Sequence, residues 1–204
     1  MLETKFIPAE ERGSLRLMIV LHGLGDSMAG YGWMPQMFRL PWLNYLLVNA
    51  PDPYYGGFSW YEIEGDAASG VQRSTLLLRS LLDAQRDSGF ATEHTILSGF
   101  SQGCLMTLET GLRYPHKFAA LVGISGYVLD SAALLQEASA VVKEQRVLVT
   151  HGRQDPLIPF EKVKIQMDEL RAGGIAIEWR EFNKPHTIID EEISVIREFI
   201  EKSF

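Results

Sequence analysis

Six short runs of aliphatic and β-branched residues, separated by turn signals and helical stripes, constrain the fold of this 204-residue chain more than any other feature. They are Leu15–Leu21, Tyr45–Asn49, Thr95–Phe100, Ala119–Ile124, Arg146–Thr150 and Ala176–Phe182. Several are continuously apolar, as strands are when helices cover both faces of a parallel sheet. Between the runs, Val71, Thr75, Leu78 and Leu82 recur at helical spacing, and Leu77 and Leu81 widen that stripe. Phe160, Val163, Met167 and Leu170 form a second stripe that stops at Gly173-Gly174; Ile189, Ile193, Ile196 and Ile200 form a third. Strands alternating with helices predict an α/β layered fold around a mostly parallel central sheet. No repeat, low-complexity segment or Pro/Gly/Ser-rich linker divides the chain, so 1–204 reads as a single domain. The one long irregular stretch, Ala50–Gly70, carries Tyr54, Tyr55, Phe58, Trp60 and Tyr61, and loops of that length inside a domain are often functional.

Composition narrows the function classes. Lys and Arg total 19 against 26 Asp and Glu, a net charge of −7 with no basic block, which argues against nucleic acid or anionic membrane surfaces as partners. The single cysteine, Cys104, makes neither an internal disulfide nor a Cys-based zinc site, and it reads as a buried helix residue. No His-x-x-x-His pair or spaced acidic cluster implies a metal, and no cofactor is implied. The apolar runs are far shorter than the roughly 20 residues of a membrane span, and the N-terminus lacks a secretory pattern. Both point to a cytoplasmic protein without an integral membrane segment.

The chemistry is concentrated at Gly99-Phe100-Ser101-Gln102-Gly103, which follows a predicted strand and opens a predicted helix from Gln102 to about Tyr114. In that context Gly-x-Ser-x-Gly is a nucleophile elbow. A serine hydroxyl is a weak nucleophile and must project from a tight turn where a base can reach it. Side chains two positions to either side would collide where strand and helix converge, hence the flanking glycines.

Sites of this kind run Ser, then Asp or Glu, then His along the chain. Of five histidines, His94 and His116 sit at element ends and read as surface residues. His22 belongs to a glycine turn upstream of the serine, and His151 shapes the loop after the fifth run. His186, between the sixth run and the last helix, is therefore the candidate base. The candidate acid is Asp155, at the end of the fifth run. Its competing role, capping the Phe160 helix, is weakened by the intervening Pro156–Pro159, and Asp190 suits the first turn of the last helix better. Acyl transfer also needs two backbone N–H groups for the developing oxyanion. Gln102 supplies one at its helix N-terminus, and Leu24, in the glycine turn His22-Gly23-Leu24-Gly25-Asp26, supplies the other.

Taken together, these segments resemble the small carboxylesterase/phospholipase group of α/β-hydrolases that includes acyl-protein thioesterases and lysophospholipases. The matching pieces are His22–Asp26 (HGLGD), Ser59–Ile63 (SWYEI), Gly99–Gly103 (GFSQG), His151–Pro159 (HGRQDPLIP) and Pro185–Ile188 (PHTI), which in order and spacing cover almost the whole chain. The resemblance implies an α/β-hydrolase fold with Ser101 as nucleophile, Asp155 as orienting acid, His186 as base, and Leu24 and Gln102 as oxyanion donors. The chain departs from the group's pattern at Cys104, where a third small glycine is common, and at Asn183-Lys184, in place of a glycine-containing approach to the histidine. The implied reaction is hydrolysis of carboxylic esters or thioesters through an acyl-serine. The substrate that the resemblance implies is a small acyl ester or thioester, with a lipid or acylated protein as its larger form. A lysophospholipase or acyltransferase on the same triad, and a ligand-binding protein without turnover, are the alternatives.

No insertion is long enough for a large cap domain, so the site should be an open groove. Trp60 and Leu157 are the candidate residues for its apolar wall. The sequence leaves the oligomeric state open.

Overall fold

The computed structural model describes all residues from Met1 to Phe204. In chain order its elements begin with β1 (Thr4–Ile7), β2 (Arg16–Leu21), α1 (Met34–Phe38), β3 (Leu43–Val48), β4 (Asp52–Tyr54), β5 (Gly57–Ser59) and α2 (Ala67–Asp87). There follow β6 (Thr95–Phe100), α3 (Gln102–Gly111), β7 (Ala120–Ile124), α4 (Ser131–Glu137), β8 (Val147–Gly152), α5 (Phe160–Ala172), β9 (Ile177–Phe182) and α6 (Asp190–Glu201). Seven strands form one sheet in the order β1-β3-β2-β6-β7-β8-β9. Only β1 runs antiparallel to its neighbour; β2, β3, β6, β7, β8 and β9 are parallel.

All six runs read from the sequence are strands, with ends shifted by at most two residues. Where a run is continuously apolar, as in β2, the cause is the expected one: successive side chains leave the pleat on opposite faces and both faces are covered. Leu17, Ile19 and Leu21 of β2 enter one buried cluster, which also takes in Leu78, Leu105 and Met167. Met18 and Val20 enter the other, with Phe38, Ile196 and Ile200. Helices α2, α3 and α5 thus cover one face, and α1 and α6 cover the other.

Three strands escape the sequence pattern. β1 is a short edge strand whose first three residues are exposed, so it has no apolar face to signal it. β4 and β5 form a three-residue-a-side hairpin inside the stretch read as irregular, closed by Tyr55-Gly56 at positive φ. The hairpin lies on the turn after β2: Gly25 donates to the Phe58 carbonyl and Phe58 donates to the Asp26 carbonyl, each at 2.9 Å.

No helix is long and apolar enough to cross a membrane. No cap domain covers the carboxyl ends of the strands, and four loops meet there. They follow β2, β6, β8 and β9, the edge where open parallel sheets place their sites.

Candidate active site

The elbow shows in its backbone why the motif takes this form. Ser101 has φ 55° and ψ −115°, a conformation costly for a residue with a Cβ, between the end of β6 and the start of α3. A Cβ on Gly99 would stand 2.1 Å from the Gly103 carbonyl oxygen, and one on Gly103 would stand 2.1 Å from that of Leu21. Both positions therefore require glycine. Cys104, read from the sequence as a buried helix residue, is fully buried with its side chain against Gly123 and Gly126. Burial pushes its thiol pKa up to about 12, so it is a packing residue.

Three loops bring Ser101, Asp155 and His186 into one hydrogen-bonded line. His186 Nε2 lies 2.9 Å from Ser101 Oγ, and His186 Nδ1 lies 2.7 Å from Asp155 Oδ2. The other carboxylate oxygen of Asp155 accepts the Leu157 and Ile158 N–H groups, each at 2.9 Å. Burial works against ionisation of Asp155, but these bonds from His186, Ile158 and Leu157 outweigh it and hold its pKa below the usual carboxylate value. The Phe160 helix is capped by Pro159 without a side-chain bond, so Asp155 is not its N-cap. Asp190 is exposed in the first turn of α6, as anticipated. His94 and His116 are exposed.

The Leu24 and Gln102 N–H groups have no backbone acceptor in the chain. Both border the same cavity as Ser101 and His186. The peptide carrying the Leu24 N–H is oriented by His22. His22 Nδ1 lies 2.6 Å from the Gly23 carbonyl oxygen, and its Nε2 accepts the Ala50 N–H at 3.0 Å. That pair of bonds requires a neutral ring protonated on Nδ1. Burial lowers the His22 pKa, against the opposing pull of the Gly23 carbonyl and Asp26. In a trans peptide the Leu24 N–H points away from the tethered Gly23 oxygen.

The cavity measures about 610 Å³ and is lined by Tyr61, Ile63, Tyr127, Leu157, Ile158 and Lys162 among others. Leu157 is 70% exposed on its rim. Trp60 corrects the sequence reading. It is fully buried, is absent from the cavity lining, and donates its Nε1–H to the His22 carbonyl at 2.9 Å. Its neighbour Tyr61 faces the groove instead. An indole in the interior needs an acceptor for its N–H, and the turn after β2 provides one.

Sequence reasoning also missed the side chain of Gln102. Its oxygen accepts the Trp60 N–H at 3.0 Å and the Ser59 hydroxyl at 3.3 Å, and its amide donates to the Tyr61 carbonyl at 2.9 Å. The glutamine beside the serine was the available signal, because a long amide at the start of a buried helix needs partners.

The phospholipase/carboxylesterase family model matches residues 2–204. Acyl-protein thioesterase 1 of Schizosaccharomyces pombe is 30% identical over 155 residues, spanning 70% of this chain and 69% of that protein. Acyl-protein thioesterase 1 of Saccharomyces cerevisiae is 26% identical across 97% of this chain and 96% of its own length. Among solved structures, esterase PE8 is similar over the whole chain and 99% of its own, with a TM-score of 0.89 and 27% identity. Zea mays acyl-protein thioesterase 2, at 20% identity and a TM-score of 0.82, shares the fold over 98% of both chains. With the fold, the elbow and a family match over nearly every residue in agreement, the chain belongs to the phospholipase/carboxylesterase family of α/β-hydrolases, enzymes that hydrolyse carboxylic esters and thioesters.

Proposed function

We propose that this hydrolase works through an acyl-serine intermediate on Ser101, with His186 as general base and Asp155 as orienting acid. The observation that carries the proposal is the unbroken line Ser101 Oγ, His186 Nε2, His186 Nδ1, Asp155 Oδ2, with steps of 2.9 and 2.7 Å. In the first half-reaction Ser101 Oγ attacks the substrate carbonyl carbon and its proton passes to His186 Nε2. The carbonyl oxygen becomes an oxyanion and takes hydrogen bonds from the Leu24 and Gln102 N–H groups. Collapse expels the alcohol or thiol, which leaves with the proton held on His186. Water then gives its proton to the same nitrogen and attacks the acyl carbon; collapse breaks the bond to Ser101 Oγ, which takes that proton back from His186 as the carboxylic acid leaves. Asp155 holds the Nδ1–H tautomer throughout and stabilises the imidazolium without taking its proton.

Substrates are acyl esters or thioesters with a medium chain laid along the groove, where Leu157 forms part of the wall. The acyl-protein thioesterase relatives support acylated proteins or lipids as the natural form. The open rim admits water to the acyl-enzyme, which favours hydrolysis over transfer to another acceptor.

Labelling with a serine-reactive fluorophosphonate tests the reading. Wild-type protein should take one label, at Ser101. Ser101→Ala should stay folded, take none, and keep at most the roughly 10³–10⁴-fold advantage over water that an oxyanion hole and binding supply. Near-wild-type turnover by the alanine variant would refute the assignment.

A further inference from the structure

The loop that carries His186 is held by a charged pair in the interior. Lys184 is 1% exposed and Glu192, in α6, is 0% exposed. Lys184 Nζ reaches the two Glu192 carboxylate oxygens at 2.5 and 2.6 Å, the Thr187 carbonyl at 2.8 Å and the Ser125 hydroxyl at 3.0 Å. Three N–H donors thus meet three acceptor groups, and the ammonium is saturated.

Each partner lies on a different part of the site. Thr187 is on the far side of His186, so the bond to its carbonyl closes residues 184–187 into a loop with His186 inside it. Glu192 ties that loop to α6. Ser125 follows β7, and the preceding residue, Ile124, accepts the Ser101 N–H at 2.9 Å. The Lys184 backbone reaches the acid loop as well: its carbonyl accepts the Gln154 N–H at 3.2 Å, next to Asp155. A Cβ on Gly152 at the end of β8 would lie 2.3 Å from that carbonyl oxygen, so the strand carrying the acid loop is in close contact with the loop carrying the base.

Stability alone is a poor reason for this arrangement. Desolvating two charges is costly, and a well-packed apolar pair of similar volume is often as stable or more so. An apolar pair cannot make the bonds to Thr187 and Ser125, and those bonds fix where the imidazole stands between Ser101 and Asp155. We infer that Lys184 is a positioning residue for the base, clamping the His186 loop to α6 and to the segment beside the nucleophile. The inference rests on the Ser101-His186-Asp155 reading and extends it to a residue that touches neither substrate nor reacting atoms.

The test compares the full-length wild type with the double variant K184M/E192L, because K184M alone would strand a buried carboxylate. Three quantities are read: kcat and KM for p-nitrophenyl butyrate, the thermal midpoint, and the low-field NMR resonance of the His186 Nδ1–H. The expected double variant folds with a midpoint near wild type and leaves KM little changed. Its kcat falls about 10- to 100-fold, the scale of a base misplaced by an ångström, and its low-field resonance broadens into exchange. A folded double variant with wild-type kcat and an intact resonance overturns the inference. If the double variant does not fold, Ser125→Ala decides, since it removes one hydroxyl and leaves the ion pair in place. A lower kcat at constant KM with a broadened resonance supports the clamp, and wild-type values for both overturn it. Ser101→Ala, run alongside, separates the outcomes: substantial turnover there refutes the triad reading, whatever the Lys184 variants do.

Discussion

The Trp60 backbone N–H donates to the side-chain oxygen of Gln102 at 3.0 Å, and through this bond the residue after Ser101 holds the segment that supports the turn carrying Leu24, the opposite wall of the proposed oxyanion site. From Trp60 the chain of bonds continues through its indole N–H to the His22 carbonyl, and His22 in turn tethers Gly23. The two free N–H groups, at Gln102 and Leu24, are thereby spaced by one buried network. Ser74 closes it by donating its hydroxyl to the Trp60 carbonyl at 2.5 Å.

Trp60 should therefore behave as a strut. Trp60→Phe keeps most of the packing and removes the indole N–H, leaving the His22 carbonyl without its partner. Its kcat should fall by about three- to tenfold with KM unchanged, the scale of one lost hydrogen bond of roughly 0.5–1.5 kcal/mol. Trp60→Ala should cost about 3–5 kcal/mol of stability, read from urea unfolding. Across acyl lengths from acetyl to octanoyl, the phenylalanine variant and wild type should give parallel kcat/KM profiles. A loss confined to long chains would return Trp60 to the substrate wall.

Leu157 is the residue whose truncation should change the length profile. It stands on the cavity rim, 70% exposed, directly after the acid loop. Each methylene buried against an apolar wall contributes about 0.8 kcal/mol, or roughly fourfold in kcat/KM. The wild-type series should climb from acetyl to medium acyl esters and then level. Leu157→Ala should flatten that climb while leaving acetyl-ester turnover within about twofold of wild type, because an acetyl group has no methylene to bury. Equal losses at every length would show that Leu157 acts on the Asp155 loop instead.

Asp155→Asn should leave the fold intact, since an amide oxygen can still accept the Leu157 and Ile158 N–H groups. Its kcat should drop by about 10⁴, as when a triad acid can no longer hold the correct imidazole tautomer. Asp190→Asn, in the exposed first turn of α6, should be silent. Circular dichroism and steady-state kinetics on both variants check the pair, and the reverse pattern would mean that the acid is misassigned.

The pH dependence of stability should report two buried histidines. His22 and His151 are both held below the ordinary imidazole pKa, chiefly by burial, and in each case a backbone carbonyl opposes the shift. Between the folded value and the unfolded value of about 6.5, the unfolded chain binds protons that the folded chain does not. Stability is therefore complete above that pH and is lost as pH falls below it. A second loss should follow at lower pH as Asp155, depressed in the folded state, is protonated. Urea midpoints measured at pH 7.5, 6.5 and 5.5 should decline in that order. A midpoint that rises on acidification would show that the folded state, not the unfolded one, takes up the protons.

Much of this molecule is legible in one dimension. β2, β3 and β6 to β8 are buried on both faces and so read as apolar runs, whatever packs on them, whereas the edge strand β9 exposes Glu178 and Arg180 and reads only from its β-rich, turn-bounded segment. The Ser101 elbow is legible because it imposes steric demands on residues two positions away, and chain order and loop position single out Asp155 and His186 as the candidates that the fold brings into hydrogen-bonding reach of it. β1 and the β4–β5 hairpin left no such mark: an exposed edge of four residues and strands of three are too short to set up a period.

Sequence order alone determined the layered architecture and which residue types stand at the ends of which strands, because strand and helix periodicity and turn chemistry are local properties. Only the tertiary structure decided where Trp60 points, that Gln102 spans to Ser59 and Tyr61, and that Lys184 and Glu192 meet in the interior. Those outcomes depend on which distant groups offer an unpaired donor or acceptor to a buried polar atom. That condition is satisfied across the folded interior, and the spacing of residues along the chain does not record it.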